Sequence, residues 1–174
     1  VLARVFPAAD PAALREALGA PMDAPVLLVA PGSRPSEIAR MAAPFGDAVK
    51  LLSERRPDLQ IVVPVAQTVA DAVRAATAGW ASKVTLVEDA MLKDRAMSGA
   101  DAALACSGTV TTELAMAGPP VVVAYRIGGL SYALLKRLVR TPWISLVNIA
   151  AGRMVMPEFI QDRCTGPILA DAVE

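Results

Sequence analysis

Short β-branched runs alternate along this chain with stretches whose apolar residues recur every three or four positions. That alternation marks βαβ units and a parallel sheet. Strands are predicted at residues 26–30, 59–65, 83–87, 102–106, 121–125 and 144–146. Helices are predicted at 35–56, 67–77, 90–97, 110–117 and 130–139, with further helical stretches at 11–18 and around 157–162. The helix over 35–56 is expected to break or kink near Pro44 and Gly46, where a missing N–H meets a flexible residue. One doubly wound α/β domain with a parallel sheet of about six strands, over residues 1–174, is the economical reading. In such sheets ligands lie beyond the carboxyl ends of the strands.

Composition narrows the chemistry. The 174 residues are 55% hydrophobic and 20% charged, enough for a substantial core and unlike a disordered chain. Lysine plus arginine balance aspartate plus glutamate at 17 each, so no basic excess points to nucleic acid. There is no histidine, which removes Ser-His and Cys-His catalysis and histidine metal sites together. Cys106 and Cys164 stand far apart without CxxC spacing, as ordinary reduced cysteines of a cytoplasmic protein do. The longest apolar runs, PVLLVAP and PPVVVAY, fall far below the roughly 20 residues of a membrane-spanning helix. The opening VLARVFPAADP has no initiator methionine, which suggests a fragment.

The strand ends carry the candidate chemistry. The first predicted strand runs into Pro31-Gly32-Ser33-Arg34-Pro35-Ser36-Glu37. Pro35 suits a first helical position, and Glu37 suits the acidic preference of a first turn. Arg34, held out of helical geometry by the following proline, falls at the cap. A guanidinium repels a positive helix end, so arginine there makes sense when an anion lies between them. Read blandly, PGSRP is a turn and a cap. The fourth strand ends in CSGTVTTELA. There Ser107 or Thr109 can cap the next helix, Gly108 lets a ligand approach the backbone, and Glu113 lies about one turn in. Its carboxylate could accept ribose hydroxyls while the helix opening holds a diphosphate. Plain capping explains the same residues. Arg126 follows the fifth strand on the same sheet edge.

Taken together, PGSR after the first strand, SGTVTTELAMAGPPVVVAYRI and LLKRLVRTPWISLVNIAAGRMVMPEFIQ resemble bacterial lipid-A-disaccharide synthase. The likeness runs from about Pro25 to Gln161. It implies the carboxyl-terminal, donor-binding half of a two-domain GT-B glycosyltransferase. The resemblance implies inverting transfer of a diacylated glucosamine from UDP to diacylglucosamine 1-phosphate, with no cofactor; the sequence holds no Asp-x-Asp of the kind metal-using glycosyltransferases commonly show, so the transfer is expected to be metal-independent. Arg34 would be the catalytic cation. Gly32, Ser33, Ser107, Gly108, Thr109, Glu113 and Asn148 would line the UDP end, with Arg126, Glu158 and Gln161 as further motif positions.

The same resemblance implies that an amino-terminal acceptor domain and a terminal helical stretch are absent, leaving this chain inactive alone. A homodimer is among the expected partners. Residues 130–143 set Leu134, Leu135, Leu138 and Val139 beside Lys136, Arg137 and Arg140. Such a stretch can lie on an anionic inner-membrane surface, and it can equally be a core-facing helix with cations at its carboxyl end. Two other readings compete: another UDP-sugar enzyme, such as the peptidoglycan N-acetylglucosaminyltransferase or a UDP-sugar epimerase, and a non-catalytic nucleotide-binding or interaction domain.

Overall fold

The computed structural model describes residues 6–128 and 142–174. Its strands are β1 (Val26–Ala30), β2 (Gln60–Pro64), β3 (Val84–Val87), β4 (Ala102–Cys106), β5 (Val121–Tyr125) and β6 (Glu158–Ile160). All neighbouring pairs run parallel in the order β3-β2-β1-β4-β5-β6. This is the doubly wound order, and the chain reverses its direction of travel between β1 and β4. The expected fold class is borne out.

Helices α1 (Pro11–Leu18), α2 (Pro35–Arg55), α3 (Ala70–Ala78), α4 (Ala90–Gly99), α5 (Thr109–Ala117), α6 (Leu146–Ala151) and α7 (Gly166–Val173) complete the description. Alternate strand residues feed two cores, as a pleated strand buried on both faces requires. Leu27, Val29, Ile61, Val63, Leu104 and Cys106 pack with Ile38, Met41, Phe45 and Leu52 of α2. Val26, Leu28, Val62, Ala103 and Val123 pack on the other face with Leu14, Met97 and Leu114. Arg15 ties α1 to this face: it donates to Asp101 at 2.7 Å and to the Ala24 carbonyl at 2.8 Å. No helix among the described residues is long and apolar enough to cross a membrane.

Three expectations need correction. The predicted strand at 144–146 is the entry to α6, where Ser145 is the N-cap and its side chain accepts from the Asn148 N–H. The sixth strand is instead β6, inside the stretch expected to be helical around 157–162. Pro157 then Glu158 imitates a helix start, yet this edge position pairs with β5, and the Val123 N–H donates to the Pro157 carbonyl. A proline is tolerated at such an edge.

The third correction is α2, which runs unbroken through Pro44 and Gly46. A proline inside a helix costs about 3 kcal/mol. Here Met41, Phe45, Ala48 and Val49, all fully buried, hold the helix on the sheet despite that cost. Gly46 serves packing: a Cβ there would lie 2.6 Å from Trp80 Cδ1, and the Trp80 indole N–H reaches the Ala42 carbonyl at 2.9 Å. The predicted helix at 130–139 and most of the stretch 130–143 lie outside the described residues.

Candidate functional site

β1 and β4 are neighbours at the point where the winding reverses, so their carboxyl ends open onto a crevice. A cavity of about 330 Å³ lies there. Gly32, Ser33 and Glu37 wall it from the β1 side, and Ser107, Gly108, Thr109 and Glu113 from the β4 side. Pro64, Ala66, Val69 and Met97 add apolar lining to the same cavity. A second cavity of about 270 Å³ adjoins it, sharing Ser33, Glu37, Ser107, Gly108 and Thr109 and adding Arg34, Ile144 and Leu146. Arg34 and Gly108 therefore border one space.

The β1 side is built around Glu37. Gly32 has φ +143°, and a Cβ there would stand 2.8 Å from the Glu37 Cβ, so the turn requires glycine. Arg34 is the N-cap of α2 in extended conformation and makes no side-chain cap bond. Glu37, buried one turn in, turns back to accept from the Ser33 N–H at 3.1 Å, the Ser33 hydroxyl at 3.3 Å and Arg34 Nη1 at 2.7 Å. The carboxylate reaches past the cap to the residue before it and supplies the negative charge that a helix start favours. The anion that justifies an arginine at this cap is thus internal. The Arg34 side chain stays 75% exposed while bordering the smaller cavity.

The β4 side is different. Neither Ser107 nor Thr109 caps α5: the N-cap is Gly108, without a side-chain cap bond. That corrects the expected capping. Gly108 is extended (φ 166°), and the space its Cβ would occupy is open. Ser107 is fixed by its N–H on the Ala124 carbonyl, and the Thr111 hydroxyl donates to the Gly108 carbonyl at 2.7 Å. The start of α5 is therefore held rigidly while its first turn opens onto the cavity. Glu113 lies half-buried in the same wall.

Two wall residues escaped the sequence reading. Glu37 reads from the sequence only as a first-turn acid, and its bonds back to Ser33 and Arg34 appear in the fold alone. Lys93 on α4 also lines the cavity, its Nζ donating to the Val65 carbonyl at 3.1 Å. Nothing in its sequence neighbourhood distinguishes it from a solvated helix lysine.

Four expected site residues lie elsewhere. Asn148 is fully buried, and its amide is spent inside the protein: Oδ1 accepts from the Val155 and Met156 N–H groups, and Nδ2 donates to the Met156 carbonyl and Glu158. Glu158 accepts from the Ile144 and Ser145 N–H groups. Gln161, at φ 52°, pairs its amide with both the N–H and the carbonyl of Ile127. Arg126 sits beside Cys164; burial pushes that thiol up while the guanidinium pulls the other way. None of the four lines either cavity. Burial pushes the Cys106 thiol up to about 12, with the Glu37 carboxylate adding to the effect, so it is no nucleophile. Among the described residues no cluster of three or more acidic or cysteine side chains could hold a metal ion.

The sequence profile of the family described as lipid-A-disaccharide synthetase matches residues 1–173. The lipid-A-disaccharide synthase of Rhodospirillum centenum is 44% identical over 96% of this chain and 42% of its own length. That of Paramagnetospirillum magneticum is 44% identical over 95% and 43%. The chain thus spans about two fifths of the length of the curated relatives it matches. Among solved structures, ADP-heptose LPS heptosyltransferase II of E. coli superposes with a TM-score of 0.56 at 11% identity, covering 93% of this chain and 49% of the other. That likeness concerns the fold.

Proposed function

The chain belongs to the lipid-A-disaccharide synthetase family, and from that premise we propose that it is the donor-binding part of a glycosyltransferase. Its ligand is the UDP end of a UDP-diacylglucosamine. The observation that carries this reading is the convergence of Arg34 and the uncapped start of α5 on one cavity. Free N–H groups and the positive end of a helix favour phosphate, and the guanidinium adds a charged donor. The apolar lining of Pro64, Val69 and Met97 offers a planar base a surface to lie on. Glu113 lines the same cavity, where its carboxylate can accept from ribose hydroxyls.

In the proposed reaction an acceptor hydroxyl of diacylglucosamine 1-phosphate attacks the anomeric carbon, with inversion. The bond to the phosphate oxygen breaks, UDP leaves, and the hydroxyl proton passes to a base in the part of the relatives that this chain does not span. Charge grows on the leaving diphosphate, and donors already aimed at it stabilise that state more than the ground state. Arg34 and the α5 opening supply those donors without a metal or a cofactor. On this reading the chain alone forms no disaccharide, and its work is done at the cytoplasmic side of the inner membrane.

Nucleotide binding tests the proposal directly. At a hundred times its dissociation constant, UDP should stabilise the chain by about 2.7 kcal/mol. That corresponds to a melting shift of roughly 5–10 °C for this size. ADP, GDP and UMP should each shift it less at equal concentration. Equal shifts for all four, or none, would discard the assignment.

A further inference from the structure

Glu158 belongs to the sheet edge, yet its carboxylate organises a wall of the anion cavity. β6 is registered on β5, with Glu158 opposite Val123, which fixes where the carboxylate stands. Oε2 accepts from the Ile144 N–H at 2.7 Å, and Oε1 accepts from the Ser145 N–H at 3.0 Å and from Asn148 Nδ2 at 2.7 Å. Ser145 is buried and caps α6 through its hydroxyl, at 3.2 Å from the Asn148 N–H. Asn148 closes the loop on Val155 and Met156. The two residues flanking Ser145 are Ile144 and Leu146, and these face Arg34, Ser107 and Gly108 across the smaller cavity. They do not line the larger, partly apolar cavity.

We infer that Glu158 is a positioning residue, which through Ser145 and Asn148 holds Ile144 and Leu146 as the outer wall of the anion end of the site. Its contribution is to diphosphate recognition and leaves the nucleoside end untouched. The chemistry is specific to a carboxylate, because both oxygens accept at once. A glutamine keeps one acceptor and must turn an NH2 group toward an N–H, breaking either the Ile144 bond or the Ser145–Asn148 pair. The cavity's assignment to UDP is borrowed from the proposed function; the clip itself is not.

The test measures binding of UDP, UMP and inorganic pyrophosphate to the 174-residue chain and its variants by calorimetry, with folding checked by circular dichroism. Glu158→Gln and Ser145→Ala should weaken UDP and pyrophosphate at least fivefold and leave UMP within twofold. Ser145→Thr, which keeps the capping hydroxyl, should bind all three as the parent does. A purely structural role would lower the melting temperature and weaken UDP and UMP by one common factor; that result, or unchanged UDP affinity in folded variants, overturns the inference. Should Glu158→Gln not fold, the Ser145 pair decides alone. If the parent chain binds pyrophosphate and not UDP, the uridine reading fails, and the clip stands or falls on the pyrophosphate series. Binding of none of the probes overturns both.

Discussion

Gly108→Ala separates the anion site from the fold that carries it. The backbone at Gly108 is extended, a conformation open to any residue, and a methyl group there meets no atom within 4 Å. Replacing glycine at a compatible position stabilises by about 0.4–1 kcal/mol through the unfolded chain. Alanine caps a helix less well than glycine, at a cost of roughly the same size. The net change should stay within about 1 kcal/mol, or some 2–4 °C in melting temperature. Binding should respond far more, because the methyl group occupies the space through which an anion reaches the first turn of α5. Losing one charge-assisted contact costs about 1.5–3 kcal/mol, which is roughly a tenfold to hundredfold loss of affinity.

Gly32→Ala is the control with the opposite profile. Its φ of +143° and the 2.8 Å approach to the Glu37 Cβ make any side chain strained. Strain of about 1–3 kcal/mol and a similar overpacking penalty should lower the melting temperature by several degrees or more. Differential scanning fluorimetry and UDP calorimetry on the two variants give the comparison. If Gly108→Ala melts like the parent and binds UDP within twofold of it, the phosphates do not approach the α5 opening, and the proposed geometry is wrong.

Two further outcomes follow from the site and its surroundings. Arg34→Ala should leave the fold intact, since the side chain is 75% exposed, and in the full-length enzyme should reduce turnover about a hundredfold or more, the scale of losing one transition-state donor; a loss under threefold in a steady-state assay would remove it from the mechanism. Cys106, raised from 9.0 to about 12 by burial, keeps its proton in the folded state while the unfolded chain gives it up near pH 9. Folding stability should therefore be undiminished by this thiol below pH 9 and fall above it, by up to about 1.4 kcal/mol per pH unit until pH 12. Urea titrations at pH 8 and 10 should show that fall, and Cys106→Ala should lessen it, the Cys164 thiol, also raised by burial, supplying part of what remains; an equal slope in the variant would remove Cys106 as its source.

How far the sequence carries can be judged from particular residues. β1, β2, β4 and β5 are buried on both faces at their centres, so each is written around a short run of consecutive aliphatic residues. β6 is three residues at the sheet edge, and it owes its conformation to β5 rather than to its own composition. Ile144 and Leu146 misled in the other direction: their apolarity looked like a strand, while the deciding signal was Ser145 three residues ahead of Asn148. Asn148, Glu158 and Gln161 stand out in the resemblance read from the sequence, yet their side chains bond to the protein's own backbone. A motif tells which residues matter without telling whether they touch ligand or hold the wall that does.

Arg34 shows why the remainder was hidden. An arginine at a helix start does call for a negative charge. The sequence does not say which one, and in the fold Glu37 reaches back one turn and meets the need from within. A phosphate entering this cavity therefore meets a guanidinium already paired on one nitrogen, beside a buried carboxylate. It must share Arg34 with Glu37 through the exposed donors, and it gains less from that cation than an unpaired arginine would give. The uncapped α5 opening, with no acidic residue in its own first turn, has no such internal competitor. This is why the discriminating substitution is at Gly108 and not at the more conspicuous arginine.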